Sequence, residues 1–374
     1  MYPESETNLP IPLLDARNAT SRRALASGNP EERRHRETSA TAICVPARNE
    51  AALLPRFLKA LTAQNDPNAF VLCLLLDACT DDSEAIVAAH SNGVPFEIVT
   101  RKSVADSAPN AGRARAAAMA LGIETVGPDA ILLSTDADSV PAPDWVAANL
   151  AALEMADVVV GRIDRSGGIP SPAQDRIEAY YDGLARLRRV LDPLPWESAQ
   201  PHHYTSAASL ACSAETYRTL GGFEPVPAGE DARLVDTAHR LGLRVRRDGA
   251  VRVETSARRD GRARGGLADH LRDMDRTGGA SARMAHPEDV AWRYARHAVA
   301  RAGWSNVDTA ASVLAAAVGR SEEEVHAAAS VAPNAEGFAM QVVPDIPGGE
   351  RLVDLPTAEA ALAALLARHG GAAA

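Results

Sequence analysis

From residue 40 onward, apolar positions follow two different rhythms. "TAICVP" (41–46), "FVLCLLLD" (70–77), "FEIVT" (96–100), "AILLSTD" (130–136) and "ADVVVGRI" (156–163) are short, nearly unbroken aliphatic runs. Between them, "EAALLPRFLKALTAQ", the stretch 83–90 and "AGRARAAAMALGIE" space their apolar residues as helices do. Strands that lack an inside–outside alternation are covered on both faces, and the intervening helices supply the cover. The pattern therefore predicts an α/β fold with a parallel sheet. Past residue 163 it loosens: "AQDRIEAYYDGLARLRRVL" predicts a helix, "SAASLACSAETYRTLGGFEPV" a strand, a short helix and a Gly-Gly turn, and "EDARLVDTAHRLGL" a helix ending at Gly242. The remainder reads as mostly helical, with a capping box at Ser321 and Glu324 and a helix from Thr357. No internal repeat is visible. Residues 1 to about 38 are polar, with the charge run "EERRHRE", and read as a mobile leader.

Composition narrows the function classes. The chain of 374 residues has room for a catalytic domain and something smaller. A formal net charge of -10 argues against nucleic acid as a partner, because phosphate binding needs a basic face. Cys44, Cys73, Cys79 and Cys212 show no metal-binding spacing and read as reduced thiols of a cytoplasmic protein. No apolar run approaches the roughly 18 residues of a membrane span, and "MYPESETNLP" lacks the features of a signal peptide, so a soluble chain without a transmembrane segment is expected.

The chemistry concentrates where apolar runs stop. In "AILLSTDADSVPAPDWV", Asp136 and Asp138 are two residues apart at the end of a strand and point to one side of it. Such a pair suits a divalent cation with hard oxygen ligands, and the carboxyl ends of strands are where open α/β sheets bind ligands. The competing reading is a turn with helix-capping acids, since Pro143 and Asp144 open a helix. Three further polar sites fall at element ends: "PARNE", "DACTDDS" and "GED".

In order, these four sites resemble the bacterial family 2 glycosyltransferases, whose GT-A fold carries a "VPxxNE" loop, a "DxSTDxT" loop, a DxD motif and a "GGF...GED" segment. The ordered set is more specific than any single motif and spans roughly residues 41–234. The resemblance implies a GT-A (nucleotide-diphospho-sugar transferase) fold over 40–265, with a mostly parallel central sheet flanked by helices. A leader over 1–39 would precede it and a mainly helical region over 266–374 would follow. The implied activity is metal-dependent, inverting transfer of a sugar, of the hexosyltransferase class, from a nucleoside diphosphate sugar to an acceptor hydroxyl.

Residue by residue, the resemblance puts Pro46, Ala47, Arg48 and Glu50 at the base and ribose, with Asp77 beside them. Asn110 and Arg113, followed by Arg115, sit where relatives hold the donor, with a solvated helix face as the alternative. Asp138 would bind Mg²⁺ or Mn²⁺, and Asp136 would be shared between metal and nucleotide. Asp231 would be the general base with Glu230 beside it, against the alternative that both acids only stabilise a helix N-terminus. Two departures stand out: Leu76 replaces an acid before Asp77, and "SAPNAGRARAAA" has no aligned lysine. Of the arginines from 244 to 264, most read as a solvated face, while Arg258 and Arg262 are expected to grip an anion. His202 and His203 read as loop residues rather than ligands. Two other functions stay open: a retaining transferase acting on a phosphorylated small acceptor, and a nucleotide-sugar-binding protein without turnover.

Overall fold

The computed structural model describes residues 40–103, 110–261 and 265–370; the leader expected over 1–39, and Arg262, lie outside them. In chain order the elements begin with β1 (Thr41–Ala47), α1 (Leu54–Thr62), β2 (Phe70–Asp77), α2 (Ser83–His90), β3 (Glu97–Ser103), α3 (Ala111–Val126), β4 (Ile131–Thr135) and β5 (Ser139–Pro141). There follow α4 (Trp145–Leu153), β6 (Val158–Ser166), α5 (Pro172–Leu191), β7 (Ser209–Ser213), α6 (Ala214–Thr219), α7 (Glu230–Arg240) and β8 (Val245–Ser256). The rest is α8 (Leu267–Thr277), β9 (Met284–Ala285), α9 (Pro287–Gly303), α10 (Val307–Val318), α11 (Glu322–Val331), α12 (Ala335–Val342), β10 (Leu352–Val353) and α13 (Leu355–Gly370).

Among the described residues, eight strands form one sheet in the order β3-β2-β1-β4-β7-β6-β8-β5. The first four pair in parallel, as their continuous apolar runs predict. Beyond β4 the sheet is mixed: β7 runs antiparallel to both β4 and β6, whereas β6 and β8 are parallel. Alternate residues of β1 face opposite layers. Ile43 and Val45 pack with Leu54, Phe57 and Trp145 from α1 and α4, while Ala42 and Cys44 pack with Ala118 and Met119 of α3. Both faces are thus dry, and the carboxyl ends of β1, β2 and β4 meet at one edge.

Strand β8 corrects the reading of the arginine-rich stretch as a solvated face. Its Val245, Val251 and Val253 are buried, and of its basic residues Arg246 pairs with Asp248 at 2.7 Å and Arg247 donates to Thr205 Oγ1 at 3.1 Å, while Arg252 is exposed as expected. The helices after β8 do not form a detached unit. Ile177, Tyr180, Leu184 and Leu187 of α5 share one apolar cluster with Met274 of α8 and Leu355, Leu362 and Leu365 of α13. A second cluster joins α9 to α12 around Val318 and Phe338. Among the described residues, no helix is long and apolar enough to cross a membrane.

Candidate active site

At the end of β1, Pro46 is half-buried and Ala47 fully buried, so the loop begins from a fixed point. The Arg48 guanidinium donates to Asp77 Oδ2 at 3.1 Å across the ends of β1 and β2, and the Ser103 hydroxyl donates to Asp77 Oδ1 at 2.5 Å. The first two loops are stitched together: the Glu50 N–H donates to Ser83 Oγ at 3.0 Å and the Ala51 N–H to Asp81 Oδ2 at 2.9 Å. Two residues other than glycine hold left-handed backbone here, Asn49 with φ 55° and Ala78 with φ 50°. Backbone strain of this kind persists where the surroundings over-determine it, and it clusters at binding sites.

The loop after β4 brings Asp136 and Asp138 to the same edge. Arg258, just past β8, spans two loops: it donates to Glu50 through both terminal nitrogens, at 2.7 and 2.5 Å, and lies 3.1 Å from Asp138 Oδ2. Burial, and next the charge of Asp136, lift the Asp138 carboxyl well above the usual carboxylate range, with Arg258 opposing. Positive charge beside a carboxyl raised in this way favours its ionised form.

Asn110 and Arg113 sit at the start of α3 but do not reach this centre. Asn110 caps the helix, accepting from the Arg113 N–H at 2.8 Å, and its amide donates to Pro225 O at 2.8 Å. Arg113 is exposed. Arg115, buried to 8% exposure, enters instead. Its Nη2 donates to Asp136 Oδ1 at 2.8 Å, its Nε to Glu230 Oε1 at 3.1 Å and its Nη1 to Ser134 Oγ at 3.0 Å. A signal for this lies one turn earlier: Gly112 shares a helix face with Arg115, three residues on, and a Cβ there would meet Glu224 O at 1.8 Å. The glycine marks the face that packs against Glu224 and Val226, just past the Gly-Gly turn, and Arg113 lies on the other side.

Helix α7 opens after Gly229, whose φ of 79° requires glycine for an unstrained entry. Glu230 is buried and committed to Arg115. Asp231 is held at both oxygens, Oδ2 by the Ala207 N–H at 3.2 Å and Oδ1 by the Ala232 N–H at 2.8 Å. Burial and then Glu230 push the Asp231 carboxyl up to about 6, against the pull of Arg115. His202 and His203 serve the scaffold: His202 is fully buried against Val160 O at 3.1 Å, and His203 Nδ1 lies 2.8 Å from Asp182 Oδ1. Burial keeps His202 neutral, its pKa down to about 3.

Residues 42–206 match the family model described as Glycosyl transferase family 2. The match, which is a similarity to that family, covers less than half of the chain. Arg48, Glu50, Asp77, Arg115, Asp136 and Asp138 fall inside the matched segment, whereas Glu230, Asp231 and Arg258 come from beyond it. No curated protein matches the chain. Among solved structures it is similar to S. aureus TarS 1-349 in complex with UDP-GlcNAc, at 12% identity over 81% of this chain and 89% of that one, with a TM-score of 0.46. It is also similar to glucosyl-3-phosphoglycerate synthase from Mycobacterium tuberculosis in complex with Mn²⁺, UDP-glucose and phosphoglyceric acid. There the identity is 22% over 67% of this chain and 85% of that one, with a TM-score of 0.42.

Proposed function

We propose that the protein is an inverting glycosyltransferase that moves a sugar from a nucleoside diphosphate sugar to an acceptor hydroxyl with the aid of a divalent cation. The observation that carries this reading is Arg115, which ties the Asp136 loop to the Glu230–Asp231 helix start through one buried guanidinium. A donor-binding loop and a basic carboxylate are thereby held in a fixed relation, as attack on a bound donor requires. We take 40–265 as the catalytic unit and 266–374 as its helical appendage. The four cysteines are all free, which agrees with a cytoplasmic setting.

Asp231 is the base in this scheme. It takes the proton from the acceptor hydroxyl; the freed oxygen bonds to the anomeric carbon while the bond to the diphosphate breaks and its electrons leave with the diphosphate. Glu230 positions rather than reacts, because Arg115 engages it. Glu50 and Asp77 supply acceptors for donor hydroxyl or base N–H groups, and Arg258 offers a guanidinium to the diphosphate.

Asp136 and Asp138 fit Mg²⁺ or Mn²⁺ by donor type, both being hard oxygen ligands two residues apart. Among the described residues no group of three or more metal-ligating side chains gathers. An ion held here would take these two carboxylates and draw the rest of its shell from phosphates and water. When bound, the cation supplies charge neutralisation on the departing diphosphate.

The test is Asp231→Asn. The amide keeps the shape and loses the basicity, so kcat should fall roughly 10²- to 10⁴-fold with donor binding intact. Asp231 is the second residue of α7, with Gly229 at the cap, so a role limited to the helix start bears on stability and predicts near-wild-type turnover, and that result would refute the assignment. NMR of the product anomer checks inversion.

A further inference from the structure

The end of β6, the loop 167–171, the first turns of α5, Tyr204 and Ala257 enclose a cavity of about 480 Å³. That is within the roughly 300–1,000 Å³ of small-molecule sites. Its walls connect to both halves of the active site. Ala257, whose N–H donates to Ser166 O at 3.0 Å, directly precedes Arg258, the residue that holds Glu50 and Asp138. Tyr204 lies three residues before Ala207, whose N–H holds Asp231. β4 and β6 both run antiparallel to β7, so the carboxyl end of β6, and with it the cavity, lies at the same edge of the sheet as Asp136 and Asp138.

The wall is charged but already neutralised. Arg162 reaches Asp164 and Asp182, each at 3.2 Å. Arg165 reaches Asp175 at 2.5 Å and Glu178 at 2.8 Å. Within the lining, Arg162 and Arg165 face Asp164, Asp175 and Glu178, so the cavity has no surplus of positive charge. A phosphate or carboxylate entering it would meet three carboxylates, and could recruit a guanidinium only by breaking an ion pair and leaving its acid uncompensated. Hydroxyl groups face no such cost, because they donate to the carboxylates and accept from the arginines without disturbing the pairs.

We propose that this cavity is the acceptor site and that it takes a neutral polyhydroxylated molecule, a saccharide or polyol, in preference to a phosphorylated or carboxylated one. This rests on the transferase reading above. The test uses full-length protein with Mg²⁺ and UDP, and saturation-transfer NMR of probe pairs that differ only in a phosphate: glycerol with glycerol 3-phosphate, and D-glucose with D-glucose 6-phosphate. The neutral member of a pair should bind at least about tenfold more tightly, a difference of about 1.4 kcal/mol. Its affinity should be unchanged between about 50 and 300 mM salt, since no net charge is being screened. Asp175→Asn, at an exposed position that should not disturb folding, frees part of Arg165 and should improve binding of the phosphorylated probes several-fold. Tighter binding of the phosphorylated members with a steep salt dependence would overturn the proposal, as would failure of both neutral probes to bind or indifference of the phosphorylated probes to Asp175→Asn. UDP binding in the same samples, and slow hydrolysis of UDP-glucose in parallel samples with that donor in place of UDP, test the transferase reading separately and can persist when the acceptor preference fails.

Discussion

Arg115 is the least replaceable side chain of the site, for reasons of charge. It is buried between Asp136 and Glu230, and removing it would leave two carboxylates without their counter-ion. Arg115→Ala should cost about 3–5 kcal/mol, read from the urea midpoint, because a broken buried pair exposes the full cost of the unpaired charge. Arg115→Lys should recover only part of this, as an ammonium cannot fork to both acids. Asp231 carries a pH signature. With its carboxyl at about 6 in the folded protein, the ionised form of the proposed base is lost as pH falls, so kcat/KM should rise with pH to a plateau above that value. The sign for stability is opposite: a carboxyl raised above its unfolded value of 3.8 favours folding while protonated, and that contribution is lost as pH rises through about 6. Asp231→Asn should therefore melt no lower than wild type at pH 7 and lack the acidic limb of the rate profile. A retained limb would assign it to another group. Arg258→Ala should raise the KM for the donor about tenfold by removing a cation from beside Asp138, which initial-rate kinetics would show.

Helix α7 shows how an element can be set from both ends. Its start is held by Ala207 and Arg115, and its far end docks on the C-terminal helices. There the Asn334 amide donates to Gly242 O at 2.9 Å, His239 lies 3.9 Å from Glu336, and Arg301 bonds Glu336 at 2.7 Å while also pairing with Asp192. Burial alone would raise the Glu336 carboxyl, yet His239 and Arg301 hold it down to about 2. Arg301→Ala strips the shared cation from two buried acids and should lower stability by about 3–5 kcal/mol, measured by urea unfolding. Strand β8 is the contrasting case, an element hidden by its own composition. The alternation of Val251 and Val253 with Arg252 and Glu254 is a strand signal, but the density of arginine suggested a solvated surface. Partners on β6 and on the loops, distant in sequence, absorb those charges.

For the molecule as a whole, the helices after residue 266 complete the core begun by α5. Deleting 266–374 would expose Ile177, Tyr180, Leu184 and Leu187 together, and the truncated protein should aggregate or express insolubly. A soluble, cooperatively folding fragment would show that the catalytic unit stands alone. What the sequence determined by itself is whatever neighbouring residues decide: the continuous apolar runs of β1, β2 and β4, the helices between them, and the acids at strand ends where polarity returns. Asp77, Asp136 and Asp138 stood out for that reason, whereas Asp231, at a helix start, stood out only through the resemblance. What only the tertiary structure decided is which charges meet. Arg115 reaches Asp136 and Glu230 across separations of 21 and 115 residues, and Arg258 reaches Glu50 across 208. Such pairs carry no local signal. An arginine with a distant partner reads the same as one facing water until the sheet and its helices bring the carboxylate within hydrogen-bonding reach.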